Sequence, residues 1–259
     1  MPLVEISRTG HTGILRLNRP EKHNSLNGAL MQDLTAGIDS LAADGCRTLL
    51  IGAMPGSKVW SAGHDINELP EPRRDPLAYF DALETLLRRV QDCPVPVIAM
   101  VEGSVWGGAC DLCFSCDLVI AAEGSTFAMT PAKLGIPYNA SGLIHFTNLI
   151  GVSKAKEMFF TAEPVPASDA WNNGFVNHVV PAARLEEFTL ALAGKIAANA
   201  PLAVRALKAE FRLLSHGQPI DAETAERIQA IRREVYDSAD YAEGLRAFKE
   251  KRAPRFEGK

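Results

Sequence analysis

The sequence predicts an α/β fold. Three observations carry that reading: apolar runs of strand length recur through the first half of the chain, amphipathic stretches of helical period separate them, and beyond residue 183 every periodic segment is helical. With 259 residues, 47% of them hydrophobic and 22% charged, there is core enough for one large domain or one domain with an appendage. A net charge of −4 gives no electrostatic footprint for nucleic acid. No apolar run approaches the ~18–20 residues of a membrane span. The opening residues, Met1 to Arg8, lack the basic-then-apolar order of a signal peptide, so the cytoplasm is the expected location.

In chain order, residues 3–8 and 13–18 alternate around His11-Thr-Gly13, which predicts a hairpin. Arg19 to Asn27 is a polar loop, with Asn27 placed to cap a helix whose Leu30, Leu34, Ile38 and Leu41 share one stripe. Thr48 to Gly52 is a buried strand, followed by an irregular loop from Pro55 to Ile66. The Pro- and Arg-rich stretch Leu69 to Pro76 reads as exposed and mobile. Leu77, Phe80, Leu83, Leu87 and Val90 mark a second amphipathic helix, and Val95 to Met100 a second buried strand. Leu118 to Ala122 and Val176 to Val180 read as further strands, with short helices near 143–150 and 153–160 between them. After Ala183 come four helical stripes: Leu185, Phe188, Leu192 and Ile196; Val204, Leu207, Phe211 and Leu214; Ala225, Ile228, Ile231 and Val235; Tyr241, Leu245 and Phe248.

The centre of this pattern is Val101-Glu-Gly-Ser-Val-Trp-Gly-Gly-Ala-Cys-Asp111, where an apolar strand runs through Gly103, Gly107 and Gly108 into a helix. Glycine removes the Cβ that would bar a ligand from the backbone, and the unpaired N–H groups at a helix start favour negative charge. The plainer alternative is a tight strand-to-helix turn. The segment is not a P-loop and lacks the G-x-G-x-x-G fingerprint. Cys110, Cys113 and Cys116 recur every third residue on one helical face, without paired His or a second Cys cluster, which favours core packing over a metal site.

Ser61-Ala-Gly-His-Asp-Ile66, Gly107-Gly-Ala-Cys-Asp111, Cys116-Asp-Leu118, Phe127 and Leu134-Gly135 resemble, in order and spacing, the crotonase (enoyl-CoA hydratase/isomerase) superfamily. The resemblance runs from about residue 3 to the last residues and includes the loop Arg19 to Leu26. It implies a crotonase-like spiral of repeated ββα units over residues 1–200 with an acyl-CoA site. It further implies a C-terminal helical region, 201–259, that serves trimerisation and covers the active site. The implied substrate is an acyl-CoA thioester, with CoA part of the substrate and no separate cofactor or metal. The implied assembly is a homotrimer or a dimer of trimers, without nucleic-acid or membrane partners.

By the same resemblance the backbone N–H groups of His64 and Gly108 form an oxyanion hole, the His64 imidazole being a pocket wall or, less simply, a general base. Two donors aimed at a thioester oxygen stabilise the enolate that forms when a bond at the α-carbon breaks. Hydratases of the family carry Glu at the positions matching Asp111 and Pro131, and hydration suits two placed carboxylates. Pro131 does not titrate and Asp111 is a methylene shorter than Glu, so Asp111 is either a catalytic carboxylate or a first-turn residue favoured by the helix dipole.

Phe127-Ala-Met-Thr-Pro-Ala-Lys-Leu-Gly-Ile-Pro-Tyr-Asn139 resembles instead the branch that decarboxylates methylmalonyl-CoA, as do Val101 to Ala109, Ser57 to Val59, His64 to Ile66 and Val235 to Ser238. That branch places the residues matching Thr130 and Tyr138 beside the substrate. Loss of CO2 needs no base. It needs an electron sink and a carboxylate held out of the thioester plane, which a Tyr138 hydroxyl and apolar walls such as Trp106 and Ile136 suit. For CoA the family implies Ala62, Gly63, His64, Asp65 and Ile66 around the adenine, and Lys22 and Lys251 near the phosphates, although each lysine also reads as a solvated surface residue.

The expected reaction is therefore conversion of methylmalonyl-CoA to propionyl-CoA and CO2, a carbon–carbon lyase activity. The competing readings are hydration or a double-bond shift with Asp111 as the one carboxylate, and a non-catalytic acyl-CoA-binding trimer. A serine hydrolase built on Ser61 and His64 lacks the G-x-S-x-G elbow.

Overall fold

The computed structural model describes residues 2–68, 80–136, 138–215, 223, 226–227, 230, 234, 237–240, 243, 246–247 and 250–259. The stretch Leu69 to Pro76, Leu77, and the stripes Ala225, Ile228, Ile231 and Val235 and Tyr241, Leu245 and Phe248 fall outside the described residues.

Strands β1 (Val4–Thr9) and β2 (Thr12–Leu17) form the expected hairpin, turning at Gly10 and His11. Helix α1 (Gly28–Ala43) starts at Asn27, whose side-chain oxygen accepts the Leu30 N–H at 3.0 Å. There follow β3 (Thr48–Ala53), β4 (Val59–Ser61), α2 (Ala82–Asp92), β5 (Val97–Val101), β6 (Ser104–Trp106) and α3 (Gly108–Ser115). Next come β7 (Leu118–Ala122), β8 (Thr126–Ala128), α4 (Ala140–Thr161), β9 (Val165–Pro166), α5 (Ala167–Asn172) and β10 (His178–Val180), then α6 (Leu185–Ala197) and α7 (Pro201–Leu214).

The strands build two sheets. The larger runs β1-β2-β3-β5-β7-β10, parallel from β2 onward; the smaller runs β4-β6-β8-β9. From β3 to β8 the chain visits the two sheets alternately, one strand in each per coil, and β4, β6 and β8 pair in parallel. Helices α2 and α3 close the first two of these coils, so the ββα unit repeats as a spiral.

Period-two alternation sorts the large sheet's side chains between two layers. Leu15, Leu49, Ile51, Val97, Ala99 and Val119 join the core formed with α1, α2 and α3. Ile14, Leu50, Ile98, Met100, Ile120 and Ala122 point the other way and pack against Leu185 and Ala193 of α6. Both faces are covered, as a mainly parallel sheet requires. Among the described residues no single helix is long and apolar enough to cross a membrane.

Four expectations need adjusting. The small sheet was not anticipated, because strands of three residues are too short to show a period. Phe80 is 89% exposed and precedes α2, which begins instead at Ala82, with the carboxylate of Asp81 before it capping the Leu83 N–H at 2.8 Å. The two short helices near 143–160 are one element, α4, broken at Gly151 by a φ of 76°. The last strand of the large sheet is shorter than Val176 to Val180 suggests, because Asn177 turns its side-chain oxygen onto the Val119 N–H at 2.7 Å.

Replacing Asn27 by Ala removes the α1 cap and is expected to lower stability by about 1 kcal/mol, with Asn27→Ser restoring most of it; urea unfolding measures both.

Candidate active site

The loop after β4 and the start of α3 meet because β4 and β6 are neighbours in the small sheet. Leu26 fixes the loop: its N–H donates to Gly63 O at 2.8 Å and its carbonyl accepts from Asp65 N at 3.0 Å. With those flanking groups turned toward Leu26, the His64 N–H faces the other way, as alternation along an extended chain demands. Ser61 is fully buried, donating to Asn24 O at 2.7 Å and accepting from Gly63 N at 3.2 Å, so its hydroxyl braces the loop.

On the facing side, Gly107 adopts φ 52° and ψ −125° and donates to Ala128 O at 2.8 Å, which leaves Gly108 as the first residue of α3. A first-turn N–H has no partner within its own helix. Among the described residues neither the His64 nor the Gly108 N–H donates a hydrogen bond. A Cβ added at Gly63, where φ is 82°, would lie 2.4 Å from Trp106 O and 3.2 Å from Gly108 N. Glycine at 63 is therefore what lets the two amides approach.

Both amides open into a cavity of about 270 Å³ whose walls include Ala62, Ile66, Trp106, Thr130, Ile136 and Tyr138. Pro131, Lys133, Leu83 and Leu134 complete much of the rest. The wall is largely apolar, which strengthens any charge–dipole interaction inside it. His64 Nδ1 is buried and has no hydrogen-bond partner among the described residues.

The structure thus brings together His64, Gly108, Thr130, Tyr138, Ala62, Ile66 and Trp106. Asp111 stands apart. It follows Gly108 by one helical turn, is 1% exposed, and faces a second cavity of about 540 Å³. Its two oxygens meet the Tyr138 hydroxyl, which donates at 2.6 Å, and His145 Nδ1 at 2.9 Å. Asp65 also turns inward, accepting from Arg19 Nη1 at 2.7 Å, Ser25 Oγ at 3.2 Å and the Asn67 backbone, so it offers the small cavity no carboxylate. Lys22 and Lys251 are exposed and are not among the residues lining either cavity.

Burial and the neighbouring Asp111 carboxylate hold the Tyr138 hydroxyl well above the usual phenol range. Its ring is wedged edge-on against Phe159 and Phe146, with centroids 5.2 and 6.5 Å away. Burial also raises Glu84, which accepts from Asn139 Nδ2 at 2.6 Å. Cys110, Cys113 and Cys116 are buried and free, their thiols pushed up by desolvation, in keeping with core packing. Sequence reasoning missed Glu84 and His145. No local pattern in the sequence marks His145, because Tyr138 precedes α4 and His145 lies within it, so only their packing brings both to Asp111.

Residues 10–259 match the enoyl-CoA hydratase/isomerase family, and the chain belongs to it. The methylmalonyl-CoA decarboxylase of Escherichia coli K12 is 45% identical over 255 residues, covering 98% of each chain. A solved structure of methylmalonyl-CoA decarboxylase in complex with 2-nitronate-propionyl-CoA superposes with a TM-score of 0.82 at 45% identity, over 99% of both chains. An enoyl-CoA hydratase of Geobacillus kaustophilus superposes with a TM-score of 0.89 at 30% identity, over 99% of this chain and 98% of that one.

Arg19 holds the Asp65 carboxyl at about 2, below its ordinary 3.8. The stabilisation this gives is complete above pH ~5 and is lost as pH falls through the folded-state value. Asp65→Asn is expected to cost about 1.5–3 kcal/mol at neutral pH and progressively less toward pH 2; urea unfolding across that range measures the convergence.

Proposed function

We propose that this protein converts methylmalonyl-CoA to propionyl-CoA and CO2, with the thioester enolate held by the backbone N–H groups of His64 and Gly108. The observation that carries this reading is the pair of amides, unpartnered among the described residues, in a mostly apolar cavity whose wall has Pro131 where a second carboxylate would stand. When the carboxylate leaves, the electrons of its bond to Cα pass into the thioester, and charge develops on the oxygen between the two amides. Each such donor is worth ~3–4 kcal/mol at the transition state. No base is required, and the electron sink is the thioester carbonyl, whose developing charge the amide pair stabilises, so the reaction needs no cofactor beyond the CoA carried by the substrate. The 45% identity to methylmalonyl-CoA decarboxylase across nearly the whole chain supports the same substrate.

Tyr138 and Thr130 flank the carboxylate and turn it out of the thioester plane, while Trp106 and Ile136 withhold its solvation. The imidazole nitrogen of His64, buried without a partner, is available to a polar group of the bound thioester. CoA enters past Ala62, Gly63 and Ile66, with backbone groups of Asp65 on its path and Lys22 and Lys251 serving its phosphates as compact charges. Hydration is disfavoured because Asp111 does not line the cavity that holds the amides.

Residues 1–200 form the catalytic spiral and 201–259 the region that associates, giving a cytoplasmic homotrimer or dimer of trimers. Ile144, Val152 and Phe160 of α4 and Leu207 and Phe211 of α7 are between 52% and 77% exposed, apolar surface suited to burial between subunits.

Incubation with methylmalonyl-CoA is expected to release CO2 and propionyl-CoA, whereas crotonyl-CoA keeps its absorbance; hydration of crotonyl-CoA without CO2 release overturns the assignment. Tyr138→Phe is expected to cut turnover by about 10²-fold with CoA binding nearly intact, and unchanged turnover removes Tyr138 from the mechanism.

A further inference from the structure

Decarboxylation as proposed above leaves one requirement without an agent: the enolate must gain a proton at Cα. Tyr138 lines the small cavity and not the large one, while Asp111 and His145 line the large one and not the small. The hydrogen bond from Tyr138 to Asp111 therefore crosses the partition between them. Asp111 is almost fully buried, and both its side-chain partners among the described residues, a phenol and an imidazole, can exchange protons. A buried carboxylate held by no permanent cation is a costly way to pack a helix. The His145 side chain keeps a quarter of its surface exposed, in reach of solvent.

We propose that His145, Asp111 and Tyr138 form a proton path from the large cavity to the α-carbon of the enolate. The proposal rests on the decarboxylation reading. With Asp111 protonated, its carboxyl donates to the Tyr138 oxygen, and the phenol hydrogen turns into the small cavity. Cleavage of the carboxylate's bond to Cα leaves its electron pair in the enolate. As that pair returns, a C–H bond forms at Cα with the phenol proton, and the phenol oxygen takes the Asp111 proton in the same step. No free phenolate is needed, which suits a hydroxyl so hard to ionise. The Asp111 carboxylate then takes a proton from the His145 imidazolium on Oδ1, rotation of the carboxyl group turns that proton toward Tyr138, and His145 is recharged by water. One proton leaves solvent for each CO2 released.

The other charged groups around the large cavity are largely committed. Lys208 is bound to Asp117 at 2.7 Å, Arg212 to Asp92 at 2.6 Å and Glu84 to Asn139. Arg88 also lines the cavity. His145 is thus the member of that wall in direct contact with Asp111 that can carry a transferable ring proton.

A donor fixed on one side of the enolate serves one face. Turnover of methylmalonyl-CoA in D2O by the wild type is expected to give 2-deuteriopropionyl-CoA of a single configuration, read by NMR after coupling to a chiral auxiliary. His145→Gln retains a hydrogen-bonding group but no transferable proton. It is expected to slow turnover about tenfold or more with little change in KM, and to give a mixture of both configurations. His145→Ala is expected to behave likewise and to recover rate and configuration when imidazole is added. CO2 release with a racemic label in the wild type, or a single configuration retained in both variants, overturns the proton path. Absence of CO2 release by the wild type overturns the decarboxylation reading instead.

Discussion

Two backbone N–H groups with no partner among the described residues, facing one small space, are the constraint on which the site depends. A polypeptide normally satisfies such groups, and leaving them unmet against a mostly apolar wall is costly. Here the cost is distributed over local structure. The bridge between Leu26 and the Gly63–Asp65 segment turns the His64 amide outward, and the unusual backbone angles at Gly107 start α3 with the Gly108 amide uncovered. Ser61 and Asn24 brace the loop from behind, and Arg19 ties Asp65 to its base. Much of the polar bonding around residues 19–65 thus serves to hold the His64 amide clear of the loop's own acceptors.

The separation of the two cavities that meet at Tyr138 and Asp111 follows from α3. Its first residue contributes an amide to the small cavity, and its fourth turns a carboxylate into the large one. A carboxylate that would repel an anionic substrate is thereby kept behind Tyr138 and the apolar wall. The position still communicates, through one hydrogen bond, with the side that holds the two amides. Aromatic packing of Tyr138 against Phe146 and Phe159 keeps that bond in register.

Much of this was legible in the sequence, and the rest was not, for definable reasons. Strands β3, β5 and β7 stood out as apolar runs because both faces of the large sheet are buried. The Asn27 cap and the glycines before α3 announced themselves by chemistry. The small sheet was invisible, since Val59-Trp-Ser61, Ser104-Val-Trp106 and Thr126-Phe-Ala128 are each too short to alternate. The motif residues His64, Gly108, Thr130 and Tyr138 could be named before the fold was known, and they do share one cavity. That Asp111 lies behind them, and that His145 and Glu84 join it, depends on how α2 and α4 pack across α3, which no local pattern encodes.

The parallel pairing of β4 and β6 carries a broader implication. The two donors follow adjacent rungs of one ladder, so their separation is inherited from the pitch of the coil, about 4.8 Å between neighbouring strands. Side chains lining the chamber do not set it. Substitutions there leave the spacing of the two amides to the ladder. A single residue inserted at a corner between the sheets would shift one strand against the next and carry the two amides out of register.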